Sequence, residues 1–145
     1  MKTVSDVLQS KGPGVWSVRP DDTVYDALSL MSEKDIGAVL VMEGDRLIGI
    51  LSERDYARKV VLKGRWSRDT AVREIMTERV LFVRPENTLE ECMAIMSAKH
   101  IRHLPVMIED RVAGVVSISD VVRALLSEQA FMITQLENYI TGRTR

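Results

Sequence analysis

Apolar and polar positions along this chain follow two periods, and the order in which those periods appear repeats. Val24, Ala27, Leu28 and Met31 recur at the spacing of one helix face and predict a helix over about residues 23–33, capped by Asp22 or Thr23. The apolar runs 38–42 and 47–51, separated by the polar tetrad EGDR, predict two strands of a hairpin, and a further helix starts at Glu53. The series then returns. Leu89, Met93 and Met96 stripe a helix over about residues 89–98, strands follow at 104–108 and 112–117 around EDR, and a helix starts at Ile118. Each series opens with a short helical turn and an extended segment, residues 16–18 or 80–83, closed by Pro20 or Pro85. The predicted order is β-α-β-β-α, twice.

The identities bear out a duplication. Segment 15–59 lies over segment 80–124 without a gap at an offset of 65, and 17 of the 45 aligned positions are identical. VRP falls on VRP, Met31 and Ser32 fall on Met96 and Ser97, and Ser52, Asp55 and Arg58 fall on Ser117, Asp120 and Arg123. The lead-ins match as well, VSDVL with VREIM, but at an offset of 68. The first copy therefore carries about three extra residues, assigned to the turn-forming GPG at 12–14. A unit of roughly 50 residues buries too little surface to stand comfortably alone. The expected fold is thus an α/β (α+β) pair of β-α-β-β-α units, packed sheet to sheet with pseudo-two-fold symmetry. The units span 1–64 and 65–127, followed by a C-terminal helix and tail over 128–145. Apolar residues from Phe131 to Ile140 make that last helix amphipathic, suited either to packing back on the body or to a subunit contact, and the TGRTR tail is expected to fray.

Composition narrows the function classes. The 145 residues carry 20 basic and 21 acidic side chains, a net charge of -1, which gives no general attraction to nucleic acid or to an acidic membrane surface. Cys92 is the only cysteine, so neither an intrachain disulfide nor a thiolate metal cluster is available. The apolar runs are strand-sized, far short of the roughly 20 residues that span a bilayer, and the first residues do not read as a signal peptide. A cytoplasmic protein with no nucleic-acid or membrane partner is expected.

GILSERD at 49–55, GVVSISD at 114–120 and IRHLPV at 101–106, in register with the paired VRP elements, resemble the CBS domain pair, a regulatory unit also called a Bateman module. The resemblance covers about residues 3–127, and the strings SERDYARKVV and ISDVVRALL are similar to small bacterial proteins made of little else. It implies a homodimer, a non-catalytic role, and an adenosine-containing ligand between the units. AMP is the first expectation, with ATP, ADP or NAD(H) as alternatives, and no metal is required. An unidentified regulated protein would read the state.

The resemblance also implies roles for particular residues. Asp55 and Asp120 would accept the ribose hydroxyls, with Ser52 and Ser117 near phosphate. Read from spacing alone, S-x-x-D is equally a helix capping box, and the two roles are compatible. Arg102 and His103 stand where the first unit has Gly37 and Ala38, and they would reach across to the phosphates held by the other unit. Pro105 follows in the same element. Arg54 and Arg58 add charge beside Asp55, so the site with Asp55 and Arg102 is expected to be better equipped than the one with Asp120. His103 would gain charge if phosphate raised its pKa. Ser17 and Val18 with Ile36, Gly37 and Ala38 would form an adenine slot, with Phe82 and Val83 as the matching element of the second unit; for Val18 and Ile36 a place in the core is an equally satisfactory reading. Gly49 and Gly114 read as structural positions, where a missing side chain allows close approach.

Three other functions compete. An interaction module without ligand would be expected to lack the ribose carboxylates, yet both are present. A nucleotide-processing enzyme would need a base, nucleophile or carboxylate cluster beside the phosphates, and no H-E-x-x-H, P-loop or nucleophile elbow occurs. Nucleic-acid binding would rest on one basic stripe, Arg54, Arg58, Lys59, Lys63, Arg65 and Arg68.

Overall fold

The computed structural model describes residues 1–12 and 14–142; the proline of the GPG insert and the last three residues of the tail lie outside the described residues. The first unit contains β1 (Ser17–Val18), α2 (Val24–Lys34), β2 (Ala38–Glu43), β3 (Arg46–Ser52) and α3 (Glu53–Tyr56). The helix α1 (Val4–Lys11) precedes it, and a π-helical turn, Ala57–Val61, follows α3. A 3-10 turn, Val72–Glu74, leads into the second unit of α4 (Leu89–Lys99), β4 (His103–Ile108), β5 (Arg111–Ser117) and α5 (Ile118–Thr141).

The matched helices start and stop for matched reasons. The Thr23 and Thr88 hydroxyls each accept the amide of the third residue on, from Asp26 and Glu91, at 3.1 Å. The carboxylates of Asp26 and Glu91 accept the cap amides in return, closing two capping boxes. Both helices end on a left-handed residue, Asp35 or His100, each with φ of 54°. The hairpins turn on Gly44 and Glu109, the first residue of each two-residue loop, with φ of 63° and 56°.

The sheets differ in one respect that a single residue explains. In the first, β1 pairs in parallel with β2, and Leu40 donates its amide to the Trp16 carbonyl at 3.1 Å. The position equivalent to Leu40 is Pro105, which has no amide hydrogen. The extended segment expected at residues 80–83 is accordingly reduced to one parallel bridge, Val83 to Val106, held by bonds of 2.9 and 2.8 Å.

Each unit has its own core, but the lead-ins are exchanged. Val4 and Val7 of α1 are buried with Val83, Leu89, Leu104 and Val116 of the second unit. Val72 and Ile75 of the 3-10 turn are buried with Val24, Val39, Val41 and Leu51 of the first. Backbone bridges secure the exchange, Thr3 to Thr88 on one side and Thr23 to Ala71 on the other. The repeated glycines make room for it: a β-carbon on Gly49 would lie 2.6 Å from Met76 Sδ, and one on Gly114 would lie 2.7 Å from Leu8 Cδ2. Leu8 and Met76 are themselves equivalent in the lead-in repeat.

The amphipathic stretch after residue 128 is not a separate element. It continues α5, a single helix of 24 residues. Phe131, Met132, Ile133 and Leu136 are more than half exposed, and Tyr139 and Ile140 are exposed by 80% or more, so this end does not pack back on the body.

Gly49→Val should therefore destabilise the chain by about 1–3 kcal/mol, the usual cost of overpacking. Met76→Ala in the same chain should recover part of that loss in thermal unfolding. No recovery would show that the Met76 side chain is not what restricts residue 49.

Candidate functional site

Exchanging the lead-ins brings the two units together around a pair of clefts. The first, about 280 Å³, is lined by Ser52, Arg54, Asp55 and Arg58 of the first unit and by Arg102, His103 and Pro105 of the second. The second, about 590 Å³, is lined by Ile36, Gly37 and Ala38 together with Ser117 and Asp120. Gly37, Arg102 and His103 border both clefts, so they form the wall between them. That wall is tight: a β-carbon on Gly37 would sit 3.2 Å from the His103 ring, so a larger side chain there would require the ring to shift.

The Ser-x-x-Asp motifs are capping boxes in both copies. The Ser52 hydroxyl accepts the Asp55 amide at 3.2 Å, and Asp55 Oδ2 accepts the Ser52 amide at 2.9 Å. Ser117 and Asp120 repeat the arrangement at 3.1 and 2.9 Å. Each aspartate is thereby held at the cleft edge with a fixed orientation. Each also meets a lysine, but from different places. Lys59 Nζ stands 3.3 Å from Asp55 Oδ1, one helical turn on, and does not line the first cleft. Lys11 Nζ, at the end of α1, lies 2.9 Å from Asp120 Oδ2 and does line the second.

Electrostatics distinguish the groups further. Burial acts to raise the Asp120 carboxyl pKa, but the Ser117 amide and the Lys11 ammonium outweigh it and hold the group below its ordinary value. His103 goes below the ordinary histidine value, first through burial and then through the nearby positive charge of Lys11. Both effects disfavour its charged form, and the added charge expected of it would have to be supported by a bound anion. Arg54 donates to the His100 carbonyl at 3.1 Å, capping the end of α4 from the other unit. Cys92 is buried, and burial pushes its thiol up to about 11, so it is not a thiolate nucleophile. No group of three or more His, Cys, Asp or Glu side chains among the described residues is placed to hold a metal ion.

Several expected residues are placed differently. Val18 and Val83 are buried in the two cores, and Ser17 and Phe82 lie outside both clefts, Phe82 with the Arg84 guanidinium 5.6 Å from its ring centre. Ser17 and Val18 do not line either cleft with residues 36–38, and the burial of Val18 agrees with the core reading of that residue. The side chains of Val18 and Val83 are needed under their sheets, so the clefts are walled by earlier residues, Trp16 in one and Val80 and Leu81 in the other. Ile36 and Ala38 line the cleft with Asp120 and not the one with Asp55, whereas Gly37 borders both. Much of the basic stripe is internally engaged: Arg65 pairs with Glu74, and Arg68 lies 4.3 Å from the Tyr25 ring centre.

Arg79 and Lys11 were not singled out by the motif reading, yet each lines a cleft. The signal was available, because the offset of 68 that aligns the lead-ins places Arg79 on Lys11.

The known relatives agree with this architecture. The CBS domain family profile matches residues 4–62 and 72–127. The chain is 42% identical to a mitochondrial CBS domain-containing protein, CBSX3, from Arabidopsis thaliana, across 97% of this chain and 72% of that protein. A putative signal-transduction protein with CBS domains from Burkholderia ambifaria superposes with a TM-score of 0.85 at 46% identity, covering 88% of this chain and 96% of that one. A CBS-domain containing protein from Agrobacterium tumefaciens does so with a TM-score of 0.81 at 35% identity, over 85% and 98%.

The lowered His103 value fixes a pH dependence. The unfolded chain takes up this proton more readily than the folded one, so stability should fall as the pH drops below about 6.5. Titration of the ligand-free imidazole by NMR should give a midpoint below that of a free histidine, and His103→Gln should flatten the decline. A midpoint at or above the free value would contradict the partly buried placement of the ring.

Proposed function

The chain belongs to the CBS domain family, and we propose that this regulatory, non-catalytic module binds an adenine nucleotide in the cleft that contains Asp55. One observation supports the reading most: the Asp55 carboxylate, oriented by its capping box, lies in a cleft that also collects Arg54, Arg58, Arg79 and Arg102 between apolar walls. A carboxylate can accept both vicinal hydroxyls of a ribose. Ile50, Val80, Leu81 and Ile101 offer apolar surface to a flat base, and guanidinium groups suit phosphate oxygens in bidentate geometry. The formal charge of this lining is positive, four arginines against Glu53 and Asp55, which favours an anionic ligand over a plain nucleoside. AMP is the first candidate; ADP, ATP and NAD(H) share the adenosine part and differ in how many of the arginines they would use.

Binding between two units that share exchanged segments gives a route to signalling. A ligand that gains more contacts at one relative angle of the units shifts the population toward that angle. The output would be read by a second copy or by a regulated protein. The open apolar face at the end of α5 fits a homodimer contact. The same face supports a second reading, a protein-interaction module that works without ligand.

Calorimetric titration of nucleotide-free protein with AMP, ATP, NAD and NADH separates the two. Saturable binding at micromolar strength is expected for at least one of them. Asp55→Ala should weaken it by about 10- to 100-fold, the range for losing hydrogen bonds to a charged acceptor. Absence of both heat and thermal stabilisation with all four ligands would favour the interaction module.

A further inference from the structure

The two clefts are built from equivalent residues, but the equivalents are used differently. Lys11 Nζ donates to Asp120 Oδ2 and to the Val115 carbonyl, both at 2.9 Å, from within the second cleft. Its counterpart Arg79 lines the first cleft and forms no salt bridge with a carboxylate among the described residues. The lysine that pairs with Asp55, Lys59, lies outside the first cleft and is also tied to the Ile75 carbonyl at 2.9 Å. At the position of Lys59 the second unit has Ala124, so Asp120 has no lysine one helical turn on.

The strand edge shows the same substitution. In the first unit the Ile50 carbonyl accepts the Thr77 backbone amide at 2.9 Å. In the second unit the equivalent carbonyl, Val115, accepts the Lys11 ammonium instead. Lys11 is followed by the insert at 12–14 that the other lead-in lacks, and Gly12 and Gly14 border the same cleft. Oδ2 of Asp120 is taken by the Ser117 amide and Lys11, and Arg123 stands 3.6 Å from Oδ1.

We propose that Lys11 is a latch that occupies the carboxylate of the second cleft, so that the chain takes one nucleotide in the Asp55 cleft and keeps Asp120 to hold α1 in place. The single-ligand part rests on the nucleotide-binding reading above; the latch part does not. Lys11 sets which cleft is open because a ligand diol that uses both oxygens of Asp120 must compete at Oδ2 with an ammonium that has two fixed acceptors. Displacement would also detach the end of α1 from the second unit, whereas ligand at Asp55 leaves α1 untouched.

The test has two arms. ATP titrated into the wild-type chain should bind with one site per chain, and into Lys11→Met with two. Without ligand, hydrogen exchange of residues 4–11 should quicken a few-fold in Lys11→Met and in Asp120→Asn, the scale of a part-exposed ion pair. It should stay unchanged in Lys59→Met. Two equivalent ATP sites in the wild type, or a second site weakened by Lys11→Met, would overturn the single-ligand proposal. Unchanged exchange in both Lys11→Met and Asp120→Asn would overturn the latch. If ATP binds neither protein, the single-ligand part falls together with the assignment of ATP as ligand, while the exchange arm still decides whether Lys11 holds α1.

Discussion

The structure depends on the exchange of two short lead-in segments between the units. Neither unit completes its core from its own contiguous sequence: Val4 and Val7 are needed under the second sheet, and Val72 and Ile75 under the first. Each of these residues is at most 5% exposed. Fully burying a side chain of this kind contributes about 1.5–3 kcal/mol. Separating the units would thus expose both cores at once, and the relative placement of the two sheets follows from keeping them filled. The repeated glycines belong to the same constraint, since Gly49 and Gly114 are where each sheet receives the other unit's lead-in.

That constraint also builds the site. Because the units meet through exchanged segments, residues 100–103 and Pro105 line the cleft with Asp55 and residues 36–38 the cleft with Asp120, Gly37, Arg102 and His103 bordering both, so each cleft is composite. A ligand in either cleft touches both units, which is what a sensor of relative angle requires. The duplication makes the clefts similar in outline, and the substitutions make them unequal: Gly37 against Arg102, Lys59 against Ala124, and the insert after Lys11.

Much of this was legible in the sequence. Helix stripes, hairpin turns and threonine caps act locally, so periodicity placed α2, β2, β3, α4, β4 and β5 to within one or two residues. The paired Ser-x-x-Asp motifs marked the cleft edges because capping is also local. What escaped was set by long-range packing. No local signal says that Val4 packs beneath the other unit. The loss of a strand at residues 80–83 follows from the missing amide of Pro105, a consequence visible only once its partner is known. Arg79 was recoverable from the lead-in repeat, but only by treating that repeat as carrying function as well as packing.

The central claim, a composite nucleotide cleft at Asp55 shared by both units, is tested most directly by amide NMR of the full chain during addition of ATP. The account predicts shifts at residues 52–58, 79–81 and 100–103 together, with those at 117–123 far smaller. Shifts confined to one unit, or centred on the open end of α5, would contradict it.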